Sequence, residues 1–344
     1  MATFALYNYE FEQLPDDDFF GKPLRKQLSE ESFANRQARF GQLLMDDYSG
    51  TKPLIYANKR GTQYIHQFIA KPDDGIFAMM LLNNHKRTAH DKSLQPHSID
   101  DYRRCIVFVD NRPGIQRLAI EVNPAAFTKL STVENILFHT LSVALASRFA
   151  ITIRLEHLFQ PARFWDIVGD SFTYPKGFQK VVFSWPKPNL DRINKRIEFI
   201  REARMGTKSK ICITADAGKG FSAVIDKQDE WLTGMVDAAS EVGGDGSITL
   251  LPNGMKRTIL VGKDSYKYVN FSDDTISSCF RHWDTQNSRL GGHIDQIIKF
   301  TLFPIHSKYP LHCLPGASMN VADSMHVLCK FLRTMYGYVR FGSS

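Results

Sequence analysis

RCIVFVDNRPGIQRLAIEVN, Arg104–Asn123, is the stretch whose reading decides the fold. Arg104–Asp110 and Gln116–Asn123 are rich in the β-branched and apolar residues that suit a pleated, buried surface. Between them Asn111-Arg112-Pro113-Gly114 supplies turn chemistry, Pro fixing φ and Gly tolerating left-handed backbone. The stretch therefore predicts an antiparallel hairpin. Outward on the N-terminal side, Gln63–Ala70 and Gly75–Leu82 flank Pro72-Asp73-Asp74-Gly75 and read as another hairpin. Strands are expected at Thr3–Glu12 and Pro53–Ala57. A helix over Ser29–Asp46 gathers Phe33, Phe40, Leu43 and Leu44 on one side. Asn83–Asp101, polar and interrupted by Pro96, reads as an exposed loop. On the C-terminal side, Ser131 and Glu134 have capping-box spacing ahead of an apolar helix reaching Phe149. Ile151–His157 alternates as a strand. Hairpins feeding a mostly antiparallel sheet, with helices attached, define an α+β N-terminal domain over residues 1–175.

Residues 176–268 follow a second pattern. Gln179–Trp185 reads as a strand, Leu190–Arg204 as a helix, Lys210–Ala215 and Gly220–Ile225 as strands, and Asp229–Val242 as a helix stopping at Gly243-Gly244. Ser247–Leu251 and Lys256–Gly262 form a hairpin around Pro252-Asn253-Gly254. The order β-α-β-β-α-β, plus one strand, is that of a ferredoxin-like split βαβ domain. Over residues 269–344 the strand pattern fades, and Ile294–Leu302 and Ala322–Tyr336 predict a partly helical C-terminal segment.

The 344 residues are 43% hydrophobic, enough for a sizeable core and about two domains. Aromatic residues make up 12%, against extensive disorder. The opening MATFALYNYEFEQL lacks the basic start and apolar run of a signal peptide. No apolar run is long enough to span a bilayer, so no membrane insertion is expected. The five cysteines are odd in number, which with no export signal predicts reduced thiols and a cytoplasmic protein. The formal net charge of +7 favours an acidic partner, nucleic acid or anionic lipid.

That charge concentrates at Lys187–Lys210, KPNLDRINKRIEFIREARMGTKSK. On a helix, Ile193, Ile197 and Ile200 form an apolar stripe. Arg192, Lys195 and Arg196 fall on another face with Phe199 among them, a pattern that suits phosphates and a stacked base. The plainer reading is a solvated face beside a core stripe. The expected contact surface is Lys187, Arg192, Lys195, Arg196, Phe199, Arg204, Lys208 and Lys210, joined by Lys219, Lys256 and Arg257, with Lys263 and Lys267 on adjoining loops. Contacts mainly to phosphates predict salt-dependent, weakly sequence-specific binding, with DNA favoured over RNA.

Other motifs are incomplete. Lys219-Gly220-Phe221 resembles the opening of an RNA-recognition strand, but Ala223 and Asp226 stand where aromatics belong. Phe183 and Trp185 share a strand face and read either as stacking platforms or as core. Gly243-Gly244-Asp245-Gly246-Ser247 reads as a phosphate-approaching loop or, more simply, as a helix C-cap. Walker A and dinucleotide spacings are absent, so no cofactor is expected. Cys279, His282, His326 and Cys329 have ligand types for zinc, against a reading as buried core thiols with rim histidines, and no metal is assigned. Asp110 with Glu121 is a candidate metal-nuclease pair, broken by Asn123 where lysine is needed. His85 and His90 are candidate acid and base for metal-free RNA cleavage, against the plainer and favoured reading of a basic loop contacting phosphate. A nuclease, or a protein–protein subunit, is therefore the alternative to a binding module.

The order of elements from TFALYNYEF through YIHQFIAKPDDGIFAMMLL, CIVFVDNRPGIQRLAIEV and FQKVVFSWPKPN into the split βαβ region resembles Rex A-type phage-exclusion proteins and KwaB-type phage-defence subunits, over residues 1–262. The resemblance implies a DNA-binding sensor in bacterial antiphage defence, a homo-oligomer or a subunit with a protein partner, without catalysis of its own. It assigns no site residue.

Overall fold

The computed structural model describes residues 2–13, 31–32, 34–52, 54–57, 63–68, 75–113, 115–186, 208–215 and 225–271. In chain order the elements are β1 (Ala2–Gln13), α1 (Arg36–Tyr48), β2 (Ile55–Ala57), β3 (Gln63–Phe68), β4 (Ile76–Asn84), β5 (Arg87–His90), β6 (Pro96–Ile99), β7 (Tyr102–Asp110), β8 (Arg117–Glu121) and α2 (Leu130–Phe149). They continue as β9 (Ile151–His157), α3 (Ala162–Gly169), β10 (Phe178–Pro186), β11 (Lys208–Thr214), α4 (Glu230–Val242), β12 (Ile248–Pro252), β13 (Ile259–Leu260) and β14 (Tyr268–Phe271). Two compact units result. The first comprises the described parts of Met1–Phe4, Phe11–Arg154 and Val269–Ser344, the second Ala5–Glu10 and Leu155–Tyr268. The sequence-drawn cut between residues 175 and 176 falls inside the second unit, and β1 contributes to both.

The Arg104–Asn123 hairpin forms as β7 and β8, antiparallel with Val107 opposite Ile120 and Asp110 opposite Arg117. β4 lies on the other side of β7, Met79 opposite Val107, and β3 then pairs with β4. The eight-stranded sheet runs β14-β1-β8-β7-β4-β3-β2, with β9 also on β1. Along β4, β7 and β8 successive residues are buried on both faces, which is why these strands read as continuous apolar runs rather than as alternation. Phe40 of α1 packs on Phe11, ring centroids 5.5 Å apart, and the Arg39 guanidinium lies over the Phe149 ring.

Two local expectations are corrected here. The capping box does not start α2: its N-cap is Lys129, and no side chain caps the helix. Asn83–Asp101 is not a plain loop but a two-stranded ribbon of β5 and β6, Arg87 opposite Ile99, exposed along most of its length. Too few apolar residues alternate there to signal strands, and the Asp91 carboxylate organises the turn by accepting from the amides of Ser93 and Gln95.

In the second unit the sheet order is β11-β10-β12-β13, all antiparallel. α4 packs its Leu232, Met235, Val236 and Ala239 into a core with Phe159, Phe164, Phe178, Val181, Phe183, Ile248 and Leu250. Asp229 caps α4, its carboxylate accepting from the amides of Trp231 and Leu232. The Asn8 side-chain amide donates to the Val242 carbonyl at the other end. Mixed α+β architecture with antiparallel sheets is thus as expected. β11 lies directly beside β10, whereas the split arrangement puts another strand between the two. Most of Gly220–Ile225, the strand expected there, lies outside the described residues. β13 is only two residues long because residues 251–258 form a wider turn than the Asn253-Gly254 signal predicts.

Candidate nucleic-acid interface

Two turns meet beside the first residue of β10. After α3 the chain makes successive tight turns, Tyr174 N–H donating to the Asp170 carbonyl at 3.0 Å and Gly177 N–H to the Tyr174 carbonyl at 2.9 Å. The Asp170 carboxylate also accepts from the Thr173 amide at 2.9 Å. Thr173, through its hydroxyl and amide together, holds that carboxyl below its usual range. Pro252, at the end of β12, lies opposite Phe178. The next residue locks the turns together: Asn253 N–H donates to the Gly177 carbonyl at 2.9 Å, and its side-chain amide to the Lys176 carbonyl at 2.8 Å. Gly254, at φ +77°, allows the reversal that projects Met255, Lys256 and Arg257 into solvent. Lys176 is exposed on the adjoining Tyr174–Gly177 turn, and Phe172, on the Asp170–Tyr174 turn before it, is 96% exposed. Lys176, Lys256 and Arg257 make no ion pair among the described residues.

Of the sequence-predicted contact residues, Lys267 is half-buried and paired with the Glu241 carboxylate, Lys263 is exposed just beyond β13, and the rest divide three ways. Lys256 and Arg257 stand on this surface. Lys210 lies opposite Ser184 and Lys208 opposite Pro186, toward the far end of β10. Six residues of strand separate Ser184 from Phe178, roughly 20 Å, so Lys210 and the Lys256–Arg257 turn do not share one phosphate. Lys187, Arg192, Lys195, Arg196, Phe199, Arg204 and Lys219 lie outside the described residues. Sequence reasoning passed over Phe172 and Lys176. The available signal was a large aromatic within the turn-forming run Asp170-Ser171-Phe172-Thr173.

Several alternatives are resolved by geometry. Phe183 is fully buried in the core beside Phe164, so it is no stacking platform. The glycine-rich loop acts as the C-cap of α4 and as a close backbone contact. Gly243 N–H goes to the Ala239 carbonyl and Gly244 N–H to the His157 carbonyl at 2.8 Å. At Gly243, φ +85°, an added Cβ would lie 2.5 Å from the His157 carbonyl oxygen. The Glu156 carboxylate sits against Gly244 and would repel a phosphate. His157 donates through Nε2 to the Gly262 carbonyl at 2.8 Å within the ring pair of Tyr7 and Tyr266, a satisfied core histidine.

The nuclease candidates are not assembled. Asp110 faces Arg117, and Glu121 lies four residues further along β8, roughly 13 Å away. Asp110, 2% exposed, is held by Arg112 through both carboxylate oxygens, at 3.0 and 2.8 Å. The Glu121 carboxylate accepts from the Ile106 amide at 2.9 Å, and burial raises its pKa against the pull of Arg104. His85 donates through Nε2 to the Ala126 carbonyl, while His90 lies out on the ribbon opposite Pro96. Burial pushes the Cys105 thiol well up, so it is no nucleophile. Among the described residues no three His, Cys, Asp or Glu side chains group as metal ligands, and no helix is long and apolar enough to cross a membrane. Cys279, His282, His326 and Cys329 lie outside the described residues. The chain matches no protein-family model, no curated protein and no solved structure.

Proposed function

We propose that this chain binds nucleic acid, with DNA favoured, through the exposed cations of its second unit. One observation carries the reading: Lys256 and Arg257 project from a turn, residues 252–258, that contains no acidic residue, and neither cation has a carboxylate partner among the described residues. Unpaired surface cations keep their full Coulombic attraction for phosphate, and displacing condensed counterions from the polyanion drives association. Lys176 extends the cationic surface, and the hydrogen bonds from Asn253 fix the spacing of its two turns before any ligand arrives.

The antiphage setting, a homo-oligomeric or partnered state and a cytoplasmic location belong to the same proposal and rest on sequence. The reading predicts binding without cleavage. The test is titration of labelled duplex DNA, single-stranded DNA and RNA across a salt series, with and without magnesium. Steep salt dependence with intact product is expected. Absence of binding near physiological salt, or shortened product, overturns it.

A further inference from the structure

A fully exposed phenylalanine on a turn is costly to display. It leaves most of a large apolar side chain in water and forgoes its burial. Phe172 does this at 96% exposure although Tyr174, two residues on, packs against Phe178 of its own unit's core. The turn is not slack. Thr173 N–H is held by the Asp170 carboxylate, Tyr174 N–H by the Asp170 carbonyl, and the Tyr174 ring packs 5.1 Å from Phe178. The bonds from Thr173 and Tyr174 to Asp170 thus fix the backbone that carries Phe172, and the next turn, Tyr174–Gly177, is tied by Asn253 to the one bearing Lys256 and Arg257.

We infer that Phe172 is a stacking residue for an unpaired base, and that Lys176, Lys256 and Arg257 hold the phosphates flanking that base, so that this surface recognises single-stranded nucleic acid. The inference deepens the nucleic-acid reading and rests on it. The chemistry is that of single-strand binding in general. An aromatic face accepts any base, and cations beside it follow the backbone. In a duplex each base is already stacked on its neighbours and offers no free face without unstacking, whereas the cations serve either form. Phe172 therefore supplies strand-type preference and the cations supply general affinity. A Phe on a basic surface also suits an anionic membrane, and the test separates the two.

The experiment compares the full chain with Phe172→Ala, Phe172→Trp and the Lys256→Glu/Arg257→Glu pair. The ligands are a labelled single-stranded oligonucleotide, the same sequence as duplex, and vesicles containing phosphatidylserine. All three variants are expected to melt with the parent, since the side chains are exposed. Phe172→Ala should weaken single-strand binding roughly tenfold, the scale of one base–aromatic stack, and leave duplex affinity within about twofold. Phe172→Trp should restore or exceed the parent, and the double charge reversal should weaken both forms. Equal single-strand affinity in Phe172→Ala overturns the inference while leaving the nucleic-acid reading standing. Equal loss on both strand types overturns it too, because Phe172 then acts without regard to base stacking. Vesicle binding that Phe172→Ala abolishes, with oligonucleotide affinities unmoved, assigns the aromatic to lipid and overturns it. A parent chain that binds neither oligonucleotide defeats the underlying reading instead.

Discussion

The arginines of the two units are used differently. In the first unit Arg39 pairs with Glu31, Arg87 and Arg103 with Asp101, Arg112 with Asp110, Arg148 with Asp46 and Arg154 with Glu12. In the second, Arg163 and Arg257 are exposed and make no ion pair among the described residues. A cation beside a carboxylate offers a polyanion little net field, while one without a partner offers all of it. A net charge of +7 is thus a poor guide to where an acidic ligand sits. The local pairing of each cation is a better one.

The largest break in that contrast comes from Arg112. Its removal leaves the Asp110 carboxylate, 2% exposed, without its bidentate partner, a loss worth about 3 kcal/mol. Arg112→Ala should lower the denaturation midpoint accordingly and leave nucleic-acid affinity unchanged for the folded fraction. Lys256→Ala/Arg257→Ala should do the reverse. Stability stays within about 0.5 kcal/mol, while the slope of log affinity against log salt shallows by about 1 to 2, one released counterion per lost phosphate contact. An unchanged slope would show that these cations do not face phosphate.

A smaller effect lies beside Arg148. Burial raises the Asp47 carboxyl from 3.8 to about 6, although the Leu54 amide and Arg148 oppose the shift. Because the folded pKa lies above the unfolded one, this group's contribution to stability is fully present below pH 3.8 and is lost as pH rises through 6. Asp47→Asn keeps an acceptor for Leu54 and removes the titration. The stability difference between parent and variant should shift by about 1 kcal/mol, allowing for solvent screening, between pH 7.5 and 4.5 in paired denaturant melts. The smallest effect belongs to Arg87, whose contact with Asp101 is 62% exposed on the arginine side. Arg87→Ala should cost no more than ~0.5 kcal/mol in the same melts.

Legibility in the sequence follows the range of the forces involved. The Arg104–Asn123 hairpin, the Ile151–His157 strand and the helix that stops at Gly243-Gly244 were readable because turn chemistry, alternation and glycine stops act over a few residues. The β5–β6 ribbon was not, since nothing buried imposes a period on it. Ser131 mimicked a cap that the preceding backbone did not need, as the helix had already begun at Leu130. At the candidate surface, Lys256 and Arg257 were evident as charge. Lys176 and Phe172 join them only through the bonds Asn253 makes to residues 76 and 77 positions earlier, which no local pattern announces. Asp110 and Glu121 looked adjacent because they end facing strands, yet antiparallel register puts them at opposite ends of one ladder.

β1 gives its residues Ala5–Glu10 to the second unit, whose remaining chain starts only at Leu155. During synthesis this segment precedes its partners of that unit by about 150 residues and stays unpaired on that side until they are made. Leu6 then bonds through its carbonyl to the Leu158 amide and through its amide to the Lys267 carbonyl. Closure of the second unit is therefore a late, long-range event, slow by the usual dependence of folding rate on sequence separation. A change within Ala5–Glu10 is therefore felt at Leu158 and Lys267, far along the chain.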